Sequence, residues 1–515
     1  MTMEQNRPRI VLVTGAAAGI GLATAQRFAA CGDTVVLADR DADGVQRAAR
    51  TLGFPHEALV LDVADEAAIV AGVAKIAAQH GGIDVLVNNA GIVDPAGTLA
   101  LDLDAGTVER ILRVNLTGSY LLAREAARIM IAAGAGAIVN LSSGIALQAI
   151  AGRTPYAMSK AAILGLTRAL ACEWAQHGVR VNAVLPGYVA TEIVEALAAE
   201  GQVDRQAVGA RIPLGRMARP AEVAEAIVWA AGNPYVTGGS IAVDGGYSAF
   251  GAVGPASMTP APVAPMRERP VVVVSGGARG IGAATADRLA ADGAHVIVLD
   301  RDIGALPEGR EGHVLDVTDE AALASIIDQI AAQHGRIDVL VNNAAIADDF
   351  RPTTEQTLAA FERGLAINLV APLRLATAAA RVMRTQGGGA IINLSSIAAR
   401  GGLPRRGSYC AAKAGVEALT RQLACEWAQH GVRVNAVAPG YIATPGVMAL
   451  EAQGKRSLRG IRRRIPLGRL GQPEEIADAV AFLASSRAAY MTGAVVPVDG
   501  GWSAFGDAGD AADVE

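Results

Sequence analysis

Residues 10–21 read IVLVTGAAAGIG, and residues 271–282 read VVVVSGGARGIG. Each begins as an apolar, β-branched run, breaks into glycines and continues into an alanine-rich stretch. A continuous apolar run suits a strand covered on both faces, and alanine is a strong helix former. Between them, Gly15, Gly19 and Gly21, and again Gly276, Gly280 and Gly282, let the backbone bend tightly and approach a phosphate closely. The helix entered at Ile20, or at Ile281, offers free N–H groups and the positive end of its dipole to an anion. One such glycine pattern is a weak signal. Two copies, each after a first strand and before a helix, point to a bound dinucleotide.

The duplication runs through the whole chain. Residues 171–188 read ACEWAQHGVRVNAVLPGY and residues 424–441 read ACEWAQHGVRVNAVAPGY, differing only at Leu185 and Ala438. IDVLVNN starts at Ile83 and Ile337, IPLGR at Ile212 and Ile465, and VDGG at Val243 and Val498. A period near 254 residues is too long for a solenoid unit and implies two whole domains. Their expected limits are 1–251 and 271–515, with a linker of polyproline character over 252–270 that holds Pro255, Pro260, Pro262, Pro265 and Pro270. In the first half, strands are expected at Ile10–Thr14, Thr34–Ala38, Ala58–Leu61, Val85–Val87, Ala137–Leu141, Val179–Val184 and Ser240–Val243. Their alternation with helical stretches predicts an α/β fold of two tandem Rossmann-type, doubly wound parallel sheets.

The chain of 515 residues is 51% apolar and carries a net charge of −5, without the basic footprint of a nucleic-acid binder. Four cysteines, Cys31, Cys172, Cys410 and Cys425, are widely spaced, and no His/Cys cluster with metal-ligand spacing stands out, so no metal is expected. The polar start, Met1 to Arg9, and the lack of an uninterrupted apolar run near ~18 residues lead to the expectation of a cytoplasmic protein with no membrane partner.

The second strand of each half ends in an acid, Asp39 or Asp300, about 20 residues past the glycine turn, where a carboxylate can accept hydrogen bonds from an adenosine ribose. The same charge repels a 2′-phosphate, which favours NAD(H) over NADP(H). Arg40, Arg301 and Arg279 pull the other way.

Tyr156 and Lys160 lie four apart on an expected helix and share a face, as do Tyr409 and Lys413. A phenol is a poor base at neutral pH, but a neighbouring ammonium favours the phenolate. Ser143 and Ser396, each 13 positions before the tyrosine, follow a strand at its carboxyl end, where ligands bind in such sheets. Alternation turns the adjacent Ser142 and Ser395 to the other face.

With the glycine turn, Asn88-Asn89-Ala90-Gly91, the strand-end serine, Tyr-x-x-x-Lys and Pro-Gly in this order, both halves resemble the classical short-chain dehydrogenase/reductases. The resemblance implies a proton relay from tyrosine to substrate, a lysine that holds the cofactor ribose, and a serine that hydrogen-bonds the substrate oxygen. It adds Asn115 and Asn368 as the fourth catalytic position. It places Asp62 with Val63, and Asp316 with Val317, near the adenine, and Asn89 and Asn343 in the cofactor crevice. Pro186-Gly187 and Pro439-Gly440 come near the nicotinamide, and Thr191 and Thr444 near its carboxamide. Ala345 departs from the pattern, where Gly91 keeps it.

The implied activity is an NAD(H)-dependent interconversion of a secondary alcohol and a ketone at two sites. The alternatives are an NADPH-dependent 3-oxoacyl-thioester reductase, or one catalytic half paired with one that only binds cofactor. The resemblance also implies an intrachain pseudo-dimer through the helices around Tyr-x-x-x-Lys and the helix that follows, and a homodimer that completes a pseudo-tetramer. The halves differ where substrate choice is expected. The second carries Arg400, Arg405 and Arg406 before its tyrosine and Lys455, Arg456, Arg459, Arg462, Arg463 and Arg464 after its Pro-Gly, which raises an acidic substrate for that half.

Overall fold

Short β-branched segments of each half pair side by side into two parallel sheets of seven strands. The computed structural model describes residues 7–93, 102–148, 150, 152–199, 204–251, 255–256, 268–347, 350–352, 355–454, 457–506 and 511. Of the expected features, Pro260, Pro262, Pro265, Lys455 and Arg456 lie outside the described residues.

The first sheet contains β1 (Ile10–Thr14), β2 (Thr34–Asp39), β3 (Glu57–Val60), β4 (Val85–Asn88), β5 (Gly136–Leu141), β6 (Val179–Pro186) and β7 (Ser240–Val243), in the order β3-β2-β1-β4-β5-β6-β7. The second contains β8 (Val271–Ser275), β9 (His295–Asp300), β10 (Glu311–Val314), β11 (Val339–Asn342), β12 (Gly389–Leu394), β13 (Val432–Pro439) and β14 (Val495–Val498), in the order β10-β9-β8-β11-β12-β13-β14. The central strands β1, β4, β8 and β11 are buried along their whole length, as strands with helices on both faces must be. The chain reverses its direction of travel between β1 and β4, and between β8 and β11. That reversal opens a crevice at the carboxyl ends of the strands.

The helices of the first half are α1 (Gly19–Ala30), α2 (Ala42–Leu52), α3 (Glu66–His80), α4 (Ala105–Leu112), α5 (Gly118–Ala133), α6 (Thr154–Trp174), α7 (Glu192–Ala199), α8 (Arg205–Ala210) and α9 (Pro220–Gly232). Those of the second are α10 (Gly280–Ala291), α11 (Glu320–His334), α12 (Leu358–Leu365), α13 (Ala371–Thr385), α14 (Gly407–Trp427), α15 (Pro445–Ala452), α16 (Arg459–Arg464) and α17 (Pro473–Ala484). No helix corresponds to α2 in the second half, where residues 301–310 form bends and turns. The offset between repeats falls from 261 at Gly15 and Gly276 to 254 at Ile83 and Ile337, and this shorter connection accounts for the change.

Among the described residues, one helical run, 358–385, is long and apolar enough to cross a membrane, although 44% of its most apolar window is buried inside the protein. In the sequence this run is not uninterrupted, since Glu362, Arg363, Arg374, Arg381 and Arg384 break it. The run packs against α11 and α14.

A shared core joins the two halves, since one apolar cluster draws residues from both sheets. Trp229 of α9 stacks on Phe482 of α17, with ring centroids 4.8 Å apart and planes 9° from parallel. Glu225 accepts from Arg27 of its own half at 2.6 Å and from Arg487 of the other at 2.8 Å. Tyr235 donates to the carbonyl of Arg469 at 3.2 Å, and Tyr490 reciprocates on Arg216 at 2.7 Å. The expected surface is the Tyr-x-x-x-Lys helices and the helix that follows. α14 does touch the turn Tyr247–Ala249 of the first half, but α9, α17, β7 and β14 carry much of the contact, and the repeated segment reaches across through Gln176, which donates to the Pro466 carbonyl. The reason lies in α9, which buries Val223, Ile227, Val228 and Trp229. A helix apolar on more than one face needs cover beyond its own sheet.

Phe482→Ala is expected to cost about 3–5 kcal/mol, the range for truncating a buried aromatic. The check is the chemical denaturation midpoint, and an unchanged midpoint would show that the stack contributes nothing to holding the halves together.

Candidate active site

The glycine turns meet their steric demand in both halves. Gly15 and Gly276 have φ of 66° and 63°, a left-handed region that suits glycine. A Cβ on Gly21 would lie 2.1 Å from the Gly15 carbonyl oxygen, and one on Gly282 would lie 2.0 Å from that of Gly276. Asn89 braces the turn from behind, donating to the carbonyls of Thr14 at 2.8 Å and Gly15 at 3.0 Å. Asn343 does the same for Ser275 at 3.1 Å and Gly276 at 2.7 Å. Ile20 and Ile281 pack against the core. Thr191 and Thr444 stand over the turn, their Cγ2 atoms 3.4 and 3.5 Å from where a Cβ on Gly19 or Gly280 would be.

Asp39 accepts from the amides of Ala17 at 3.1 Å and Asp41 at 3.0 Å, and Asp300 accepts from Ala278 at 3.2 Å and Asp302 at 3.3 Å. Each acid therefore ties the glycine turn to the end of the second strand. Arg279 lies 3.7 Å from Asp302, both largely exposed. Asp62 and Asp316 are exposed turn formers, accepting from Ala64 at 2.9 Å and Thr318 at 2.9 Å, while Val63 and Val317 are buried behind them. Hydrogen bonds from Thr318 hold the Asp316 carboxyl below its ordinary range. These residues fit a dinucleotide: the turn has no room for side chains, a helix N-terminus follows it, and a carboxylate stands at the next strand end.

The other wall of the crevice is built on β5 and α6, and on β12 and α14. Lys160 is 5% exposed and Lys413 3%. Their Nζ atoms donate to the carbonyls of Leu141 at 2.8 Å and Leu394 at 2.6 Å. Each Nζ also lies 5.6 Å from the ring centroid of its tyrosine, Tyr156 or Tyr409. Burial pulls each ammonium down from its ordinary 10.5 to about 8. Ser142 donates to the Lys160 carbonyl at 2.7 Å and so ties helix to strand, as the alternation predicts. Ser143 and Ser396 face the other way and cap short turns, accepting from Ile145 at 3.4 Å and Ala398 at 3.1 Å.

Asn115 and Asn368 sit in π-helical turns, Arg113–Thr117 and Ala366–Val370. The sequence shows only a mid-helix asparagine, but π turns gather at functional sites. Asn115 clamps the backbone of Ile92, accepting from its N–H at 2.8 Å and donating to its carbonyl at 2.9 Å, and reaches Ser159 Oγ at 3.0 Å. Asn368 clamps Ile346 in the same way at 2.9 and 3.0 Å, and Ala412 replaces the serine. A Cβ on Gly91 would stand 3.3 Å from Asn115 Oδ1 and 3.5 Å from Lys160 Nζ, so Ala345 carries its methyl at the corresponding point of the second half.

Pro186-Gly187 and Pro439-Gly440 end β6 and β13. A Cβ on Gly187 would meet that of Asp244 at 2.8 Å, and one on Gly440 that of Asp499 at 2.9 Å. Each buried acid accepts from the amides of its own following turn, and burial raises it above the usual carboxylate range. The sequence analysis left out the aromatic lip. Tyr188 meets Tyr247 edge-on at 5.4 Å, and Tyr441 meets Trp502 at 4.8 Å. Both second partners directly follow the repeated VDGG, a signal that could have found them.

The buried lysines carry a stability signature. Between about pH 8 and 10.5 the unfolded chain holds protons that the folded chain has released, so stability gains with rising pH in that window. Lys160→Met removes this contribution. Its denaturation midpoint relative to the unaltered chain is expected to be most favourable at pH 7 and to decline toward pH 10.5. A difference independent of pH would show that the ammonium is not desolvated.

Comparison with known proteins agrees with this architecture. The family model described as Enoyl-(Acyl carrier protein) reductase matches twice, over residues 15–248 and 276–503. An uncharacterized short-chain type dehydrogenase/reductase of Sinorhizobium fredii is 38% identical over 525 aligned positions, covering 98% of this chain and 94% of the relative. The cis-4-hydroxycyclohexanecarboxylate dehydrogenase of Sinomonas cyclohexanicum is 46% identical over 45% of this chain and 96% of its own length. The 3-oxoacyl-(acyl-carrier-protein) reductase MabA of Mycobacterium tuberculosis is 41% identical over 45% of this chain and 91% of its own. The chain belongs to the short-chain dehydrogenase/reductase family, as a tandem pair of Rossmann-type domains, and is an oxidoreductase that acts on CH–OH groups with a nicotinamide cofactor.

Proposed function

We propose that each half is a separate NAD(H)-dependent site interconverting a secondary alcohol and a ketone. Asn115, Ser143, Tyr156 and Lys160 serve the first, and Asn368, Ser396, Tyr409 and Lys413 the second. The observation that carries this reading is the desolvated ammonium beside each phenol, repeated at the same 5.6 Å. A bound nicotinamide supplies the hydride acceptor or donor. In oxidation, Ser143 Oγ donates to the substrate oxygen and Tyr156 Oη takes the hydroxyl proton, its anion favoured by Lys160. Asn115, by resemblance, holds the water that links this lysine to solvent. Asp39 and Asp300 support NAD(H), since a carboxylate there repels a 2′-phosphate.

We place the domain limits at 1–251 and 271–515, with a linker over 252–270. The four free cysteines support a cytoplasmic location. A homodimer forming a pseudo-tetramer is supported by apolar side chains left exposed on α5, α6 and α13, namely Tyr120, Met158 and Leu373.

A 3-oxoacyl-thioester reductase is the second reading, favoured by the 41% identical relative of that name. Part of the basic segment is already engaged, since Arg462 pairs with Glu451 at 2.7 Å and Arg464 covers the Trp502 ring at 4.4 Å. Tyr156→Phe and Tyr409→Phe are each expected to lower the kcat of one activity about 10²–10⁴-fold, the range of one general acid–base group, while NADH binding followed by fluorescence persists. Tighter binding of NADPH than of NADH would favour the second reading, and a variant with full kcat would remove that tyrosine from the chemistry.

Each half carries an arginine three residues before its tyrosine, Arg153 or Arg406, and in the second half Arg405 precedes it. The Arg406 guanidinium lies 4.5 Å from the Tyr409 ring and 4.8 Å from that of Phe350, and its Nε is buried without a hydrogen-bond partner. Phe350 and Arg405 hold φ of 60° and 64°, backbone strain of a kind that collects at functional sites. A buried unpaired donor is costly, and a carboxylate would satisfy it with a charge-assisted bond. An anionic substrate for the second half follows, and one relative is named for a hydroxycarboxylate. Arg406→Gln is expected to raise KM for hydroxycarboxylates about 10-fold or more, from ~1.5–3 kcal/mol per hydrogen bond to a charged group. KM for neutral alcohols should hold, and steady-state kinetics with both classes decides; an equal change in both would sink the idea.

A further inference from the structure

Far from either crevice, at the amino ends of β9 and β10, the fold gathers side chains that the sequence keeps apart. Three of the chain's seven histidines meet there around one acid. Glu311 Oε2 lies 3.0 Å from the Nε2 atoms of both His295 and His334. Its other oxygen, Oε1, lies 2.9 Å from His313 Nε2. The rings of His295 and His334 are 4.6 Å apart. Glu311 and His313, two apart on β10, point to one face of the sheet. His334 ends the helix that covers this face, and His295 opens the neighbouring strand. Sequence spacing gave no hint of the group, because strand pairing and a helix end assemble it.

We propose that His295, Glu311 and His334 bind a divalent transition-metal ion of the zinc class, with His313 as the outer partner that orients the carboxylate. The three ligand atoms all lie within 4.8 Å of one another. Bonds of about 2.0–2.2 Å in a tetrahedral site put ligand atoms roughly 3.3 Å apart. Two of the three spacings are therefore close to coordination distance already. Two imidazoles and a carboxylate suit zinc, and three protein ligands leave a fourth position for water. A hydrogen bond to the far carboxylate oxygen is the usual second-layer support of a metal ligand. The side chains keep 16–30% exposure, enough for an ion to enter from solvent.

The first half supplies the contrast. The matching positions there are Thr34, Glu57, Leu59 and His80, and Glu57 keeps one histidine, at 3.6 Å. The set is complete only in the half that lacks a helix between its second and third strands. An ion at this point would tie β9, β10 and α11 together where that helix is missing, and so brace the edge strand.

Zn²⁺ and Co²⁺ titrations of the untagged, chelator-stripped full chain, followed by calorimetry and visible absorption, test this. The expected result is one equivalent bound per chain, a tetrahedral Co²⁺ spectrum and a higher melting temperature with Zn²⁺. His295→Thr, which installs the first half's residue, should abolish the one-equivalent step. His313→Leu, likewise borrowed from the first half, should weaken binding about 10–100-fold, as loss of outer support does elsewhere. No stoichiometric uptake by the unaltered chain overturns the proposal, and so does undiminished uptake by folded His295→Thr. Should that variant fail to fold, the Co²⁺ spectrum of the unaltered chain and the affinity of His313→Leu decide.

Discussion

An ammonium buried beside a phenol is the constraint from which most of each half follows. A charge removed from water must be met by fixed dipoles, or the group loses its proton. Here the carbonyl of Leu141, or of Leu394, meets it at the end of a central strand. The shift from 10.5 to about 8 corresponds to roughly 3 kcal/mol of disfavoured charge at 1.36 kcal/mol per unit. The structure offsets that by locking the lysine helix to the sheet. Ser142 bonds the Lys160 carbonyl, and a buried ladder runs from Asn88 to Asn140 to Thr167, at 2.9 and 3.0 Å. Asn342, Asn393 and Thr420 repeat it at 2.9 Å for each link. With strand and helix fixed in this way, the tyrosine one turn before the lysine has one place to be.

The π turns show two local solutions to one demand. To aim its side chain at Ile92, Asn115 must sit where the α-helical ladder is broken. In the first half the Ser119 hydroxyl takes the freed Asn115 carbonyl at 2.9 Å. In the second, the residue at that position is Pro372, which has no N–H to offer the Asn368 carbonyl. A hydroxyl and a missing donor thus stabilise the same widened turn. That turn holds Asn115 and Asn368 nearly fully buried, at 1% and 0% exposure.

Much of this was legible in the sequence because it rests on short-range rules. The strands fall within a residue or two of their expected limits, since continuous apolar runs and glycine turns are local signals. The choice of Ser143 over Ser142 follows from alternation along a strand. The asparagines needed the family resemblance, because a π turn leaves no mark in hydrophobic periodicity. Pro372, four residues past Asn368, was the local clue in the second half. What depends on chain crossings could not be read. The helices that join the halves, the His295–Glu311–His334 group and the packing of Arg406 against Phe350 all bring distant residues together, and no spacing rule reports them.

The interface gives the duplication a physical consequence. Tyr235 of the first half lies beneath the loop that follows Pro439-Gly440, 3.4 Å from the Tyr441 carbonyl and 3.2 Å from that of Arg469. Tyr490 of the second half bonds the carbonyl of Arg216, and its own backbone carbonyl accepts from Gly245. Both rings are almost wholly buried, and Arg469 and Arg216 cover them at 4.9 and 5.0 Å. Each guanidinium is in turn held by a glutamate of its own half, Glu475 or Glu222. A loop that borders one crevice therefore rests on a phenol from the other half. Joining two copies in one chain keeps this reciprocal support at a fixed, high effective concentration. Separate copies would have to find each other first. The segments that border each crevice can then diverge, as residues 397–406 have from 144–153, while the tyrosine struts and shared core keep both loops in place.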